Sequence, residues 1–234
     1  MIAIAFDLDD TLYNREAPLK YAASYFPPTK DLPFDIFNGE FKKYREIAFE
    51  KIVKQELTYQ ESRIYRIQAA LRSLGISITE KDAKEFQDLY CHYLQQIELS
   101  PHIQEILDFL YRKNIKTIII TNGSSNYQRR KIKNLGLERY FDYEDIIVAG
   151  ELNVAKPDLR IFRFAEVKFQ LNPIHTWMIG DEFQADIVGA AKAGWNTIWL
   201  NQYRESPQST IVPTKIVHST YELKKFLFML FKNL

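Results

Sequence analysis

The sequence predicts an α/β fold in which helices cover both faces of a parallel sheet and an all-helical segment is inserted after the first strand. Two patterns carry this prediction. From Pro101 onward, short apolar runs rich in β-branched residues alternate with amphipathic helical stretches, which is typical of a parallel sheet buried on both faces. From Ala17 to Leu99, apolar residues recur at the three- and four-residue spacing of helices.

The first predicted strand runs from Ile2 to Phe6 and ends in three closely spaced carboxylates, Asp7, Asp9 and Asp10. Like charges this close repel one another, and a bound divalent cation is the simplest source of compensating positive charge. Asp7 and Asp9 should point to the same side of the strand, because strand side chains alternate. Ligands of open α/β sheets bind at the carboxyl ends of the strands, so we expect a ligand site here.

The inserted segment, residues 14–100, is predicted to hold about four helices. Thr79 followed by Asp82 is typical of a helix N-cap with an acid at its third position. Proline and glycine interrupt the helical periodicity at four places, which are Phe26-Pro27-Pro28, Asp31-Leu32-Pro33, Gly75 and Ser100-Pro101.

Beyond the insertion, strands and helices alternate to the end of the chain, and right-handed crossovers should join the parallel strands. Residues 201–213 are rich in Ser, Pro and Gln and are predicted to form a surface loop. The strands are predicted at residues 116–121, 145–149, 176–181, 196–200 and 215–218. The helices are predicted at residues 101–113, 125–135, 158–169, 183–193 and 221–234.

Composition and charge narrow the possible partners. The formal net charge is +1, so nothing in the overall charge favours binding to nucleic acid or to a membrane surface. No apolar run is long enough to span a bilayer. The single cysteine, Cys91, excludes an internal disulfide and fits a reducing compartment, so we expect a cytoplasmic protein. A monomer and a homodimer are both compatible with the sequence.

Several side chains outside the acidic clusters are predicted to have structural roles only. Tyr13 and the many aromatic residues of the insertion should mostly be packing residues. The apolar face of the final helix should cover the sheet, and an exposed part of it could join two subunits. The basic cluster formed by Arg129, Arg130, Lys131 and Lys133 is predicted to be a solvated helix face.

Polar residues also follow three of the later predicted strands. Thr121 ends one strand and precedes Asn122-Gly123, and Lys156 precedes a proline and a helix. Asp181 ends another strand, and Asp186 lies about one helical turn beyond it. A threonine before Asn-Gly is more often a turn residue and a lone lysine is more often exposed, so the order and position of the whole series favour a functional site.

Taken together, these motifs resemble those of the phosphatase branch of the haloacid dehalogenase superfamily, and the chain is similar to pyrimidine 5′-nucleotidases and acylneuraminate-9-phosphatases. The resemblance rests on four groups of residues: Asp7-x-Asp9-x-Thr11, Thr121, Lys156-Pro157 and Gly180-Asp181 with Asp186. It implies a Rossmann-like core made of residues 1–13 and 101–234 and a helical cap domain made of residues 14–100.

The resemblance also implies a role for each motif residue. Asp7 would be the nucleophile that forms an aspartyl-phosphate, and Asp9 would be the general acid and then the general base. Thr121, Asn122 and Lys156 would bind the phosphate. The implied cofactor is Mg²⁺, with Asp7, the backbone carbonyl of Asp9, Asp181 and Asp186 around it. Asp186 would be either a direct ligand or a partner of a bound water or of Lys156.

The implied activity is Mg²⁺-dependent hydrolysis of a small phosphomonoester, such as a nucleotide or a sugar phosphate. Three alternatives stay open: a phosphomutase, a haloacid dehalogenase, and a catalytically silent binding protein on this scaffold. Asp9 disfavours dehalogenation, because a halide leaving group needs no proton. Retention of every catalytic residue disfavours a silent scaffold. In the cap, Arg63 and Arg66 could reach an anionic substrate or could form surface ion pairs with neighbours such as Glu61.

Overall fold

The computed structural model of the chain describes residues 2–232. The chain forms two compact units, one made of Met1–Asn14 with Glu98–Leu234 and the other of Arg15–Ile97. We call them the core unit and the helical unit. The end residues of the predicted core, 1 and 234, and the last two residues of the predicted closing helix lie outside the described residues.

The helical unit is built on an aromatic centre. Phe37, Phe41 and Phe86 are almost fully buried, and their ring centroids are 5.6–5.9 Å apart. The predicted cap at Thr79 is confirmed, since its hydroxyl accepts the Asp82 N–H while the Asp82 carboxylate accepts the Thr79 N–H. The α-helices of this unit are α1 (Glu16–Tyr25), α2 (Phe34–Val53), α3 (Tyr59–Ser73) and α4 (Glu80–Tyr93).

The core unit contains a six-stranded sheet in which all paired strands are parallel, with the order β3-β2-β1-β4-β5-β6. The predicted α/β class is confirmed. Ala5 of the first strand is in register with Ile118 on one side and Met178 on the other. The strands are β1 (Ala3–Phe6), β2 (Lys116–Thr121), β3 (Ile146–Val148), β4 (Thr176–Gly180), β5 (Asn196–Leu200) and β6 (Lys215–Val217).

The strand order creates a crevice beside the first strand. The chain adds β2 and β3 on one side of β1 and then returns to add β4, β5 and β6 on the other. The chain therefore builds the sheet outward in opposite directions from β1 and from β4. Open α/β sheets bind ligands at such a topological switch point. The acidic motifs that follow β1 and β4 are placed at this point by the topology alone.

Helices pack on both faces of the sheet. On the face of Ala5 and Met178, Phe162 of α8 belongs to the same buried cluster. On the opposite face, Trp177 meets Phe226 of α10 with their ring centroids 6.2 Å apart. The core helices are α5 (Pro101–Arg112), α6 (Ser125–Asn134), α7 (Ala149–Leu152), α8 (Leu159–Phe169), α9 (Gly189–Lys192) and α10 (Thr220–Leu230).

Four local details differ from the sequence-based expectations. The closing helix, predicted at residues 221–234, spans Thr220–Leu230. The helix predicted from residue 183 begins as a π-helix, Phe183–Val188, before it continues as α9. The short helix α7 follows β3 directly and was not predicted. Asp158 is the N-cap of α8 and accepts the Arg160 N–H at 2.9 Å, so the helix begins one residue later than expected. In residues 2–232, no helix has both the length and the apolar character that a membrane crossing requires.

Candidate active site

The predicted polar residues meet at the carboxyl edge of the sheet. Asp7 follows β1, Thr121 is the last residue of β2, and Asp181 follows β4. Lys156 lies in the loop before α8 and Asp186 lies in the π-helix. These two side chains are 2% and 0% exposed, so their charges must be balanced within the protein.

The ammonium group of Lys156 is fully hydrogen-bonded. Its Nζ donates to Asp7 Oδ1 at 2.7 Å, to Asp186 Oδ1 at 2.6 Å and to the Ile120 carbonyl at 2.7 Å. A lysine ammonium has three donors, and here each has an acceptor. The lysine therefore links the ends of β1 and β2 to the π-helix and sets a positive charge beside the predicted nucleophile.

Asp186 is held by its backbone surroundings as well as by Lys156. Its Oδ2 accepts the Glu182 N–H at 3.1 Å. Gly180 leaves the space that this carboxylate needs, because a Cβ at position 180 would lie 2.1 Å from Asp186 Oδ2. The glycine of the fourth motif is thus required by close approach of a side chain.

Three carboxylates lie close enough to share a cation. Asp7, Asp181 and Asp186 each offer an oxygen, and these oxygens lie within 4.8 Å of one another. Three acids face the single charge of Lys156, so the group carries excess negative charge when all three are ionised. An all-oxygen donor set suits a hard divalent ion such as Mg²⁺, which retains waters in its remaining positions. The residues present therefore fit the predicted cofactor.

Burial and mutual repulsion shift the pKa values in this group. Burial raises the pKa of Asp186 from 3.8 to about 7, against the opposing effect of Lys156. Burial likewise raises the pKa of Asp7 above its ordinary value. Burial alone would lower the pKa of Lys156, but the carboxylates of Asp186 and Asp7 outweigh it and hold that pKa above its ordinary value. Without a cation, the cluster thus retains a proton close to neutral pH.

The carboxylate of Asp9 has a different set of partners from that of Asp7. The Tyr13 hydroxyl donates to Asp9 Oδ1, and Gln128 Nε2 donates to Oδ2 at 3.0 Å. Lys131 Nζ donates to both oxygens, at 2.6 and 2.9 Å. The Asp9 side chain therefore binds a different lysine from the one that bonds Asp7 and Asp186.

The prediction that Lys131 belongs to a solvated helix face is wrong, because its side chain is only 5% exposed. Tyr13, expected to be a packing residue, is also buried, and in addition its hydroxyl binds Asp9. Sequence spacing carried a signal for Lys131, since Gln128, Lys131, Ile132 and Leu135 form the buried i, i+3, i+4, i+7 stripe that continues past the end of α6.

Asn122 and Thr121 make contacts within the site. The Asn122 side chain accepts the Lys156 N–H at 2.9 Å and donates to the Lys156 carbonyl at 3.0 Å. Both ends of the amide therefore hold the backbone of Lys156. Thr121 Oγ1 accepts a 2.5 Å hydrogen bond from Gln128 Nε2. The phosphate contacts of Thr121, Asn122 and Lys156 stay predictions.

Arg66 of the helical unit contacts other residues of that unit, and its Nε is buried without a hydrogen-bond partner among the described residues. Its guanidinium donates to Gln87 Oε1 at 3.0 Å and lies 5.1 Å from the centroid of the Phe41 ring. Glu61, its suggested ion-pair partner, caps α3 together with Thr58. These contacts favour a packing role for Arg66 over contact with an anionic substrate.

Comparison with known proteins gives a family match over most of the chain. The family model described as haloacid dehalogenase-like hydrolase matches residues 4–200. Pyrimidine 5′-nucleotidase YjjG of Escherichia coli is 40% identical over 118 residues, which are 50% of this chain and 51% of that protein. This match thus spans about half the length of the relative.

Two solved structures share the fold along nearly the whole chain. The magnesium-bound HAD-hydrolase YfnB of Bacillus subtilis has a TM-score of 0.76 and 23% identity, covering 97% of this chain and 98% of that one. The L-2-haloacid dehalogenase RSc1362 has a TM-score of 0.80 and 16% identity, covering 97% and 98% respectively. At these identities the likeness shows a common fold and does not distinguish a phosphatase from a dehalogenase.

Proposed function

The chain belongs to the haloacid dehalogenase-like hydrolases, and from this premise we propose that it hydrolyses small phosphomonoesters in a Mg²⁺-dependent reaction through an aspartyl-phosphate. One observation carries the proposal. Lys156 bonds Asp7 and Asp186 inside a group of three carboxylates, while the acid two residues after Asp7 is held separately. Phosphoryl transfer needs positioning and charge neutralisation of this kind.

In the first step, a carboxylate oxygen of Asp7 attacks phosphorus as the bond to the leaving alcohol oxygen breaks. Lys156 neutralises charge on both the nucleophile and the phosphoryl group, and the Thr121 hydroxyl donates to a phosphoryl oxygen. Asp7, Asp181, Asp186 and the carbonyl of Asp9 would hold Mg²⁺, which supplies further neutralisation of the phosphoryl charge when bound.

Asp9 handles the proton in both halves of the reaction. It gives a proton to the departing alkoxide, and then takes one from the water that attacks the phosphorus of the aspartyl-phosphate. Inorganic phosphate leaves and Asp7 is regenerated. The two carboxylates thus need different surroundings, and the contacts of Asp7 and Asp9 differ accordingly.

A dehalogenase would need neither the proton donor nor the metal group. The similarity to haloacid dehalogenase structures is a likeness of fold, whereas Asp9 and the three-carboxylate group favour phosphate ester chemistry. A phosphomutase would use the same residues but would require a bisphosphate activator and would retain the phosphoryl group on its product.

The proposal also covers the class of substrate, the cellular compartment and the role of the inserted helical segment. The similarity to a pyrimidine 5′-nucleotidase makes nucleoside monophosphates the first candidates, followed by sugar phosphates. Residues 14–100 would act as the cap that selects the leaving group. The cytoplasmic location expected from the single cysteine is part of the proposal, as is a monomeric or homodimeric state.

The test is phosphate release from a panel of nucleotide and sugar monophosphates, with Mg²⁺ and with EDTA. We expect release with Mg²⁺ that EDTA abolishes and that Asp7→Asn lowers by at least about a thousandfold. Asp142→Asn, the same change at an exposed position, should retain full activity. Metal-independent halide release from 2-chloropropionate, or isomerisation of a sugar phosphate without phosphate release, would replace the proposal with a dehalogenase or a mutase.

A further inference from the structure

We infer that Tyr13, Gln128 and Lys131, which we call the Asp9 cradle, are positioning residues that fix the Asp9 carboxylate beside the phosphate-binding hydroxyl of Thr121. The inference rests on the proposed function. It assigns a role in the reaction to three side chains outside the motifs described above, and it makes the inner stripe of α6 part of the active site.

The cradle occupies both oxygens of the carboxylate. Lys131 bonds both oxygens, the Tyr13 hydroxyl bonds Oδ1, and Gln128 bonds Oδ2. These four hydrogen bonds hold the ionised side chain in one orientation. Because Lys131 bonds both oxygens, it gives up one of them when that oxygen carries the proton for the leaving group, and it keeps its bond to the other. Two of the donors belong to α6 and one follows β1, so the acid is held by two separate segments of the core unit.

The burial of Lys131 indicates a specific role. Removing an ammonium from water costs free energy that only close, well-oriented acceptors recover. Lys131 lies on the same helix as Arg130 and Lys133, which are exposed, and yet it occupies the inward stripe with its Nζ 4.7 Å from the centroid of the Tyr127 ring. An apolar residue would fill this position without the cost of desolvation, so the charge is explained by its contact with Asp9.

Gln128 ties the acid to the phosphate-binding residue. Its Nε2 donates to Asp9 Oδ2 at 3.0 Å and to Thr121 Oγ1 at 2.5 Å. Because this bond uses Thr121 Oγ1 as an acceptor, the hydroxyl proton of Thr121 points elsewhere. It makes a long 3.4 Å hydrogen bond to the Asn122 carbonyl, which a phosphoryl oxygen would replace when substrate binds. One amide nitrogen therefore orients both the proton donor for the leaving group and the hydroxyl that holds the phosphate.

The space for this amide is kept open by Gly123. A Cβ built at Gly123 would lie 3.0 Å from Gln128 Cγ and 3.1 Å from Gln128 Cδ. The turn after β2 thus fits against the Gln128 side chain. Without the cradle, the Asp9 carboxylate could rotate away from Thr121, and a misplacement of about 1 Å costs about a hundredfold in rate.

The test compares two substrates that differ in their need for a proton. An aliphatic phosphate ester needs a proton on its leaving oxygen, whereas p-nitrophenyl phosphate releases a stable phenolate. The parameter kcat/KM reports the step in which the leaving group departs. For Lys131→Met we expect kcat/KM to fall about 10- to 100-fold on the aliphatic ester and less than about 3-fold on p-nitrophenyl phosphate. Lys131→Arg should recover part of the loss.

Matched variants separate positioning from a general effect on folding. Lys133→Met, on the exposed face of α6, should leave kcat/KM unchanged on the aliphatic ester and on p-nitrophenyl phosphate. Tyr13→Phe removes one donor and retains the ring, so it should give the same substrate pattern with a loss of about 3- to 10-fold even if Lys131→Met folds poorly. In an Asp9→Asn background, adding Lys131→Met should change kcat/KM on the aliphatic ester by less than about 3-fold.

Equal losses on the two substrates, or losses that multiply in the Asp9→Asn background, would overturn the inference while leaving the phosphatase proposal in place. A wild-type protein that releases phosphate from neither ester would overturn the proposed function and the inference with it. Phosphate release by the wild-type protein therefore distinguishes failure of the inference about the cradle from failure of the proposed function.

Discussion

Asp186 lies where three local constraints meet. It is fully buried, it accepts from Lys156 and from the Glu182 N–H, and it occupies the space that a side chain at position 180 would fill. Its sequence position suggested only an acid one turn beyond Asp181. The contact with Lys156 and the dependence on Gly180 require coordinates, because both partners are brought in by separate segments of the chain.

Gly180→Ala should disrupt the metal group. The added Cβ would meet Asp186 Oδ2 at 2.1 Å, so the carboxylate must move away from Asp7 and Asp181. We expect the dissociation constant of Mg²⁺ to rise at least about tenfold and the free energy of unfolding to fall by about 1–3 kcal/mol. Calorimetric titration with Mg²⁺ and urea unfolding measure the two effects.

Gly39→Ala is the matched control for this substitution. Gly39 lies within α2, and apart from its chain neighbours and the backbone of this helix nothing in the described part of the chain lies within 4 Å of a Cβ built there. The alanine should leave Mg²⁺ binding unchanged and stabilise the protein by about 0.5–1 kcal/mol, as expected for a helix interior. Normal Mg²⁺ affinity in Gly180→Ala would show that Asp186 does not depend on the glycine.

Among the elements, all six strands were predicted from the sequence, and their carboxyl ends mark the location of the candidate site. The apolar runs marked the strands, and the polar residues after them marked their carboxyl ends. The strand order then brings β1 beside both β2 and β4, and so it gathers Asp7, Thr121 and Asp181. The grouping of these three residues therefore follows from the local sequence pattern and from where parallel sheets bind ligands.

The sequence pattern did not predict the π-helix or the buried position of Lys131. The π-helix at Phe183–Val188 differs from an α-helix by its hydrogen-bond register, which a hydrophobic period does not specify. On α6, Lys131 sits on the buried stripe, but a basic residue there is ordinarily expected to reach solvent. Its partner Asp9 is more than a hundred residues away in sequence, so nothing local indicated the pair.

Folding of the whole molecule brings the carboxylates of Asp7, Asp181 and Asp186 close together. These charges repel one another, so a bound cation would stabilise the folded state. The pKa of Asp186 is raised from 3.8 to about 7 by burial, so the folded protein binds this proton more tightly than the unfolded chain does. The metal-free protein therefore loses this contribution to its stability as pH rises from about 4 through about 7. Binding of Mg²⁺ requires the ionised carboxylate and should displace the proton.

We therefore expect Mg²⁺ to bind about tenfold more tightly at pH 8 than at pH 6, because one proton with a pKa of about 7 competes with it. The Mg²⁺-induced rise in melting temperature should be correspondingly larger at pH 8. Calorimetry at a single pH near 6 in two buffers of different ionisation enthalpy should count about one proton released per ion bound. Equal affinity at both pH values, with no proton release, would contradict this description of the carboxylate group.

The proposed reaction requires that Asp7 becomes phosphorylated, and this intermediate can be trapped. Asp9→Asn retains the nucleophile but lacks the base for the attacking water, so p-nitrophenyl phosphate should load Asp7 and the adduct should persist. After acid quenching, mass spectrometry should find the protein heavier by one phosphoryl group, mapped to Asp7 and absent when Asp7→Asn is added. Release of p-nitrophenol with no adduct, or with an adduct on another residue, would show that Asp7 is not the nucleophile.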